Sequence, residues 1–189
     1  MKRGLLILLC LGIVVSMASG SWQGAGAQEI KEVKGKLIGV DKCNVCHKSE
    51  KRGNQAAVWA ESAHAKAFAT LATDESKAIA TEMGLGDPQK APECLVCHTT
   101  KGFLGEVEVD ESGKYTIEEG VGCETCHGAG SEYKSNKVMK DPELAKAAGL
   151  IKPDEKQCLS CHNEKSPTFK EFKFEERWAK IAHPKAAEE

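Results

Sequence analysis

Residues 123–127 read Cys123-Glu124-Thr125-Cys126-His127, and this five-residue string decides the reading of the chain. Its spacing returns three times, as Cys43-Asn44-Val45-Cys46-His47, Cys94-Leu95-Val96-Cys97-His98 and Cys158-Leu159-Ser160-Cys161-His162. Two thiols at i and i+3 share one face of a helical turn, where they can add to the two vinyl groups of one porphyrin. The histidine that follows falls beneath the ring and offers its imidazole nitrogen to the iron. C-x-x-C-H is the attachment signal of c-type haem. Eight cysteines could also form four disulfides, two Cys₄ zinc sites or thioredoxin-type redox pairs. None of these accounts for a histidine directly after every pair. The expectation is four covalently bound haem c groups.

Working outward, residues 1–27 read as an export signal. Lys2 and Arg3 precede the apolar run Leu5–Val15, and Ala25-Gly26-Ala27 offers a small-x-small cleavage site before Gln28. The run is short for a bilayer span, so no transmembrane segment is expected after cleavage. Cys10 lies inside that run as an ordinary apolar residue of the signal. The expected domains are thus a signal peptide, 1–27, and one haem-binding domain, 28–189. The predicted location is the periplasm. Lys+Arg number 26 against Asp+Glu 28, with no basic block, which argues against nucleic acid as a partner.

Aromatic residues make up only 5% of the chain, so an aliphatic core would be thin. Four porphyrins would leave about 40 residues each and would supply much of the buried apolar area themselves. The expected fold is mainly α, with short helices and loops wrapped around a four-haem cluster. The spacing of Trp59, His64, Phe68 and Leu71 predicts one helix over 54–71. Asp74 is the expected cap of a second helix running to Met83. Glu106–Val109 and Tyr115–Ile117 alternate around Asp110–Gly113 and predict one small β-hairpin. Asp141-Pro142 should open a short helix closed by Gly149, and Phe174, Trp178 and Ile181 mark a last amphipathic helix before Pro184.

Four irons offer eight axial positions, and the motif residues His47, His98, His127 and His162 take one each. The sequence has 6 histidines, so His64 and His183 are the two left to act as distal ligands. The remaining two positions fall to methionine, another side chain, water or nothing. Met83 and Met139 are the methionines of the mature chain.

At this point the sequence resembles a known family. The string Trp59-Ala60-Glu61-Ser62-Ala63-His64-Ala65-Lys66-Ala67-Phe68, and Gly120-Val121-Gly122 before the third motif with Gly128-Ala129-Gly130 after it, are similar to the tetrahaem cytochrome c-554 family. The resemblance runs from about Asp41 to His183. It implies a periplasmic electron carrier, mainly helical, with haems in stacked pairs and hydroxylamine oxidoreductase as the best-known donor. It further implies that His64 lies opposite His127 at the third haem and His183 opposite His162 at the fourth. The iron held by His98 would keep an open face, shielded by Phe103 and the hairpin. The family's histidine for the first haem has no counterpart in Ser131–Met139, which leaves Met139, Lys137 or an open site there.

The expected function is therefore electron transfer between a redox protein donor and acceptor, possessing no catalytic residues of its own. Closely spaced haems pass electrons without moving atoms, and the protein positions and tunes them. The alternative is a small haem reductase or oxidase acting on a nitrogen oxide or hydroxylamine at an open-faced haem. A hydroxylamine-oxidoreductase-like multihaem enzyme is the partner that the resemblance suggests.

Overall fold

The computed structural model describes residues 33–183. The expected signal peptide, the mature start at Gln28 and the C-terminal tail lie outside the described residues. Within them the chain is helical, and no helix exceeds nine residues. The first two haem motifs sit in α1 (Val40–His47) and α5 (Pro92–His98), and the third is α7 (Cys123–His127). Between α1 and α5 run α2 (Gln55–Glu61), α3 (Ala67–Thr70) and α4 (Asp74–Glu82). Next to α5 lies α6 (Thr100–Leu104); after α7 come α8 (Asn136–Met139), α9 (Pro142–Ala147), α10 (Glu155–Cys158) and α11 (Phe174–Ile181). The fourth motif begins at the end of α10 and continues as turns, with His162 N–H donating to Cys158 O at 3.0 Å.

Several helix ends follow the sequence closely. Asp141 accepts from the N–H groups of Glu143 and Leu144 at 3.0 Å each, Pro142 takes the first helical position, and Gly149 follows α9 with φ +102°. At α4 the cap is one residue earlier than expected: Thr73 Oγ1, not Asp74, accepts Ser76 N–H at 3.2 Å.

Two expectations need correction. The predicted helix over 54–71 is broken after Glu61. Ser62 is extended (ψ 161°), and both its N–H and its hydroxyl turn back to Trp59 O. The chain resumes as a 3₁₀ turn at His64–Lys66 and then α3. The predicted hairpin is also absent, since no strand is formed among the described residues. Its arms bind a third segment instead of each other. Leu37 N–H donates to Glu108 O and Leu37 O accepts from Asp110 N–H, both at 2.8 Å, while Lys114 N–H donates to Ile38 O at 2.8 Å. Leu37 and Ile38 are almost fully buried, so their peptide groups must find partners, and both arms are drawn to them. Only the turn survives, with Ser112 N–H on Asp110 Oδ1 at 2.8 Å.

Leu37 centres a small aliphatic core with Leu104, Val107 and Ala129, against which Val33, Phe103 and Tyr115 pack. Beside it a buried carboxylate ties three segments together. Glu124 is 1% exposed, and its two oxygens accept N–H groups from Ile38 at 3.0 Å, Gly39 at 2.9 Å and Gly130 at 2.7 Å. Burial holds its carboxyl above the ordinary value, against the pull of those N–H groups. Thr100, also buried, donates to Gly120 O and accepts from Gly122 N–H and the Thr125 hydroxyl.

Removing the carboxylate strands three buried donors. Glu124→Ala should cost about 3 kcal/mol or more in denaturant unfolding of the haem-loaded protein. Glu119 gives a pH test. Its Oε2 accepts Val40 N–H at 3.0 Å, its Oε1 is buried without a partner, and burial lifts the carboxyl from 4.5 to about 7. A raised native value means that the folded state holds the proton longer. This contribution is full below pH 4.5 and is lost as pH rises through about 7. After screening it is on the order of 1–2 kcal/mol. The melting temperature should fall between pH 5 and 8, and Glu119→Gln should remove that part of the slope.

Candidate haem-binding site

Three of the four motif histidines have one ring nitrogen already engaged. His98 Nδ1 lies 2.8 Å from Ala67 O and His127 Nδ1 lies 2.9 Å from Ile151 O, so in both rings Nδ1 carries the proton. His47 Nδ1 lies 3.2 Å from Gln55 Oε1, and Gln55 Nε2 donates to Arg52 O, which fixes the amide orientation. Each bond leaves Nε2 with a free lone pair, the arrangement a metal-ligating imidazole requires. His162 is held differently: its ring stacks on Phe172 at 4.7 Å and 17°.

Two further imidazoles face motif histidines. The ring centres of His64 and His162 are 6.1 Å apart, and those of His127 and His183 are 5.9 Å apart. An iron–nitrogen bond of about 2 Å, with roughly 1 Å more from nitrogen to ring centre, puts two axial imidazoles about 6 Å apart. The spacing therefore admits one iron between each pair. Burial, then neighbouring His162, pulls His64 below the ordinary histidine value, and burial does the same at His127 and His162. Neutral imidazole is the form that binds metal. These facings differ from the pairing implied by the resemblance: His64 stands by the fourth motif instead of the third, and His183 by the third instead of the fourth. With six histidines in the chain, His47 and His98 are left without an imidazole opposite.

His64 is positioned by its carbonyl, which accepts Val121 N–H at 3.0 Å, while Trp59 Nε1 donates to Val121 O at 2.9 Å. The break at Ser62 lets both residues reach the same peptide. Gly120, at φ +65°, passes so close that a Cβ there would stand 2.8 Å from His64 O. Main-chain and side-chain bonds tie the motifs together: Glu124 of the third accepts from Ile38 and Gly39 ahead of the first, and Gln157 Nε2 ahead of the fourth donates to Thr125 O of the third at 2.7 Å. Among the described residues the eight cysteines form no disulfide, and no cluster of His, Cys, Asp and Glu is built to hold a bare metal ion.

The family described as cytochrome c554 and c-prime matches residues 42–128, which include three of the motifs and both Trp59 and His64. Cytochrome c-554 of Nitrosomonas europaea is 34% identical over 146 residues, covering 66% of this chain and 56% of that protein. The chain thus spans little more than half the length of this relative. The reduced-state structure of cytochrome c554 from the same organism superposes with a TM-score of 0.52 at 28% identity, covering 76% of this chain and 82% of that one.

The chain is similar to the cytochrome c-554 family over its first three motifs. It is mainly helical, as expected. No helix among the described residues is long and apolar enough to cross a membrane. Against the family's expected ligands, Met139 is half-buried at the end of α8, and Met83 is 47% exposed. Phe103 packs on the Leu37 core. A cavity of about 260 Å³ beside the second motif is lined by Leu95, Thr99, Gly102, Tyr115 and Ile117, with Lys101.

Sequence reasoning missed Phe172, Gln55 and Glu124, which act through stacking or through hydrogen bonds to ring and backbone nitrogens. Glu124 alone carried a signal, as the acidic residue between two motif cysteines. Gly120→Ala tests the positioning of His64. The added methyl meets a carbonyl at an unfavourable φ, so a loss of about 1–3 kcal/mol in thermal stability is expected. A shifted haem absorption spectrum should accompany it, because His64 O cannot stay in place.

Proposed function

We propose that this chain is a periplasmic tetrahaem electron carrier, with haems attached through Cys43/Cys46, Cys94/Cys97, Cys123/Cys126 and Cys158/Cys161. The carrying observation is the facing of His64 on His162 and His183 on His127 at the separation an iron requires. When bound, haem supplies reversible one-electron chemistry at its iron. The protein's own residues do the rest. His64 and His183 close the sixth positions of two irons and make them unsuited to substrate activation. The bonds at Nδ1 of His47, His98 and His127 hold each ring at a fixed tautomer. Bonds from Glu124 to Ile38 and Gly39, from Gln157 to Thr125 O and from Thr125 to Thr100 bring the other three motifs around the third, which supports a connected haem cluster.

The irons held by His47 and His98 have no facing histidine. Met139 is the proposed sixth ligand of the first, and the second is proposed to be five-coordinate. That vacancy favours a second reading, a small haem reductase or oxidase acting on a nitrogen oxide or hydroxylamine. A hydroxylamine-oxidoreductase-like multihaem enzyme is the proposed electron donor, following the family resemblance.

Protein made in an export-competent host should begin near Gln28 and show four haem increments by mass spectrometry, with no free thiol. Electron paramagnetic resonance of the oxidised protein should show one high-spin iron, and the reduced protein should bind carbon monoxide there. His64→Ala and His183→Ala should each add one high-spin iron. Nuclear magnetic resonance should place the first change at the haem bonded to Cys158 and Cys161 and the second at that bonded to Cys123 and Cys126. The opposite assignment would restore the pairing that the resemblance implied. Steady turnover of nitrite or hydroxylamine with an artificial donor would establish the enzymatic reading instead.

A further inference from the structure

Three of the four motifs turn an apolar side chain to solvent. Val45 is 71% exposed, Val96 42% and Leu159 41%, whereas Glu124 and Thr125 of the third motif are buried. The surroundings of Val45 and Val96 differ in charge. Lys42, Lys48, Lys51 and Arg52 stand within seven residues of Val45 along α1 and the turn that follows it, with only Asp41 and Glu50 to oppose them. None of these four cations forms an ion pair among the described residues. Glu50 is engaged by Asn54 Nδ2 at 2.6 Å. Within the same span around Val96 stand only Lys90 and Lys101 against Glu93, and Lys90 is paired with Asp87 at 3.0 Å, so the unpaired cationic excess is smaller there. The whole chain carries a formal charge of −2, so the cationic patch runs against the protein's own sign.

We propose that the Val45 face is the docking surface for an acidic redox protein, whose anionic rim meets Lys42, Lys48, Lys51 and Arg52 while its apolar centre covers Val45. This rests on the carrier reading. Complementary charge steers the encounter and raises the association rate, an effect that salt screens. An apolar centre within a charged rim is the anatomy of a specific, transient interface. One electron crosses from the partner's reduced centre to the iron held by His47: the partner is oxidised by one electron, iron(III) becomes iron(II), and no covalent bond forms or breaks. The smaller cationic excess around Val96 attracts such a partner less, so the two faces are distinguished by charge.

The test uses the haem-loaded protein and flavodoxin hydroquinone, a strongly acidic electron donor, followed by stopped-flow spectroscopy. The reduction rate should fall about tenfold as ionic strength rises from 10 to 300 mM. The triple variant Lys48→Glu, Lys51→Glu, Arg52→Glu should be about tenfold slower at low salt and nearly insensitive to salt. A matched control, Lys77→Glu, Lys90→Glu, Lys101→Glu, should stay within about twofold of the parent. Flavodoxin should also protect Lys48 and Lys51 from acetylation, read by mass spectrometry, and leave Lys90 and Lys101 open. Equal slowing in the triple variant and the control, or no slowing in either, would overturn the proposal. Methyl viologen radical, a small cation, separates the two levels of inference. It should reduce every haem in all three proteins, and failure to reduce the parent would overturn the carrier reading and the docking surface with it.

Discussion

The Glu124 carboxylate stands between two haem-attachment cysteines and collects the N–H groups of Ile38, Gly39 and Gly130. A charged group costs several kcal/mol to bury unless its oxygens are satisfied, so its position commits the backbone around it. Ile38 and Gly39 lead directly into α1, and Gly130 ends the turn after α7. Fixing both against one carboxylate sets the first haem motif beside the third. The Leu37 core, the bridge to Glu108 and Asp110, and the bond from Val40 to Glu119 all lie within a few residues of this point. In a chain with so little aliphatic interior, backbone-to-carboxylate bonds do the organising that a larger core would do elsewhere.

A second knot, at Val121, performs the same service for the distal ligands. Its carbonyl holds Trp59 and its N–H holds His64, so the two most specific strings of the sequence are parts of one contact. The glycines on either side have steric reasons to be glycine. A side chain at Gly120 would meet His64 O, and one at Gly122 would meet Glu119 and Val40. Motif three is therefore more than an attachment point. It is the surface on which His64, facing another motif, is mounted.

Local chemistry was legible in the sequence, and long-range geometry was not. The Asp141-Pro142 start of α9 and the amphipathic α11 each depend on neighbours within a few positions, and the structure forms both as the sequence predicts. The helix over 54–71 has a convincing apolar stripe, yet it breaks at Ser62 because Trp59 and His64 must both reach Val121, about 60 residues on. The hairpin had good alternation and a good turn, but Leu37 and Ile38 compete for its peptide groups, and nothing near Glu106 or Tyr115 announces them. Which histidine faces which was equally hidden, because the crossing is decided by loops whose path no periodicity records. Glu124 escaped notice since its partners are main-chain N–H groups, which every sequence has.

The placement of Leu37–Val40 also bears on how the chain is assembled. These residues leave the ribosome early, but their partners Glu119 and Glu124 follow 79 to 86 positions later. Closing such a loop is entropically costly and slow, and it cannot begin before the distant segment exists. These N-terminal contacts thus close late although their first half is made early. Until then the thiols of Cys43 and Cys46 remain on an unpacked segment, open to modification, while the rest of the polypeptide is still being delivered.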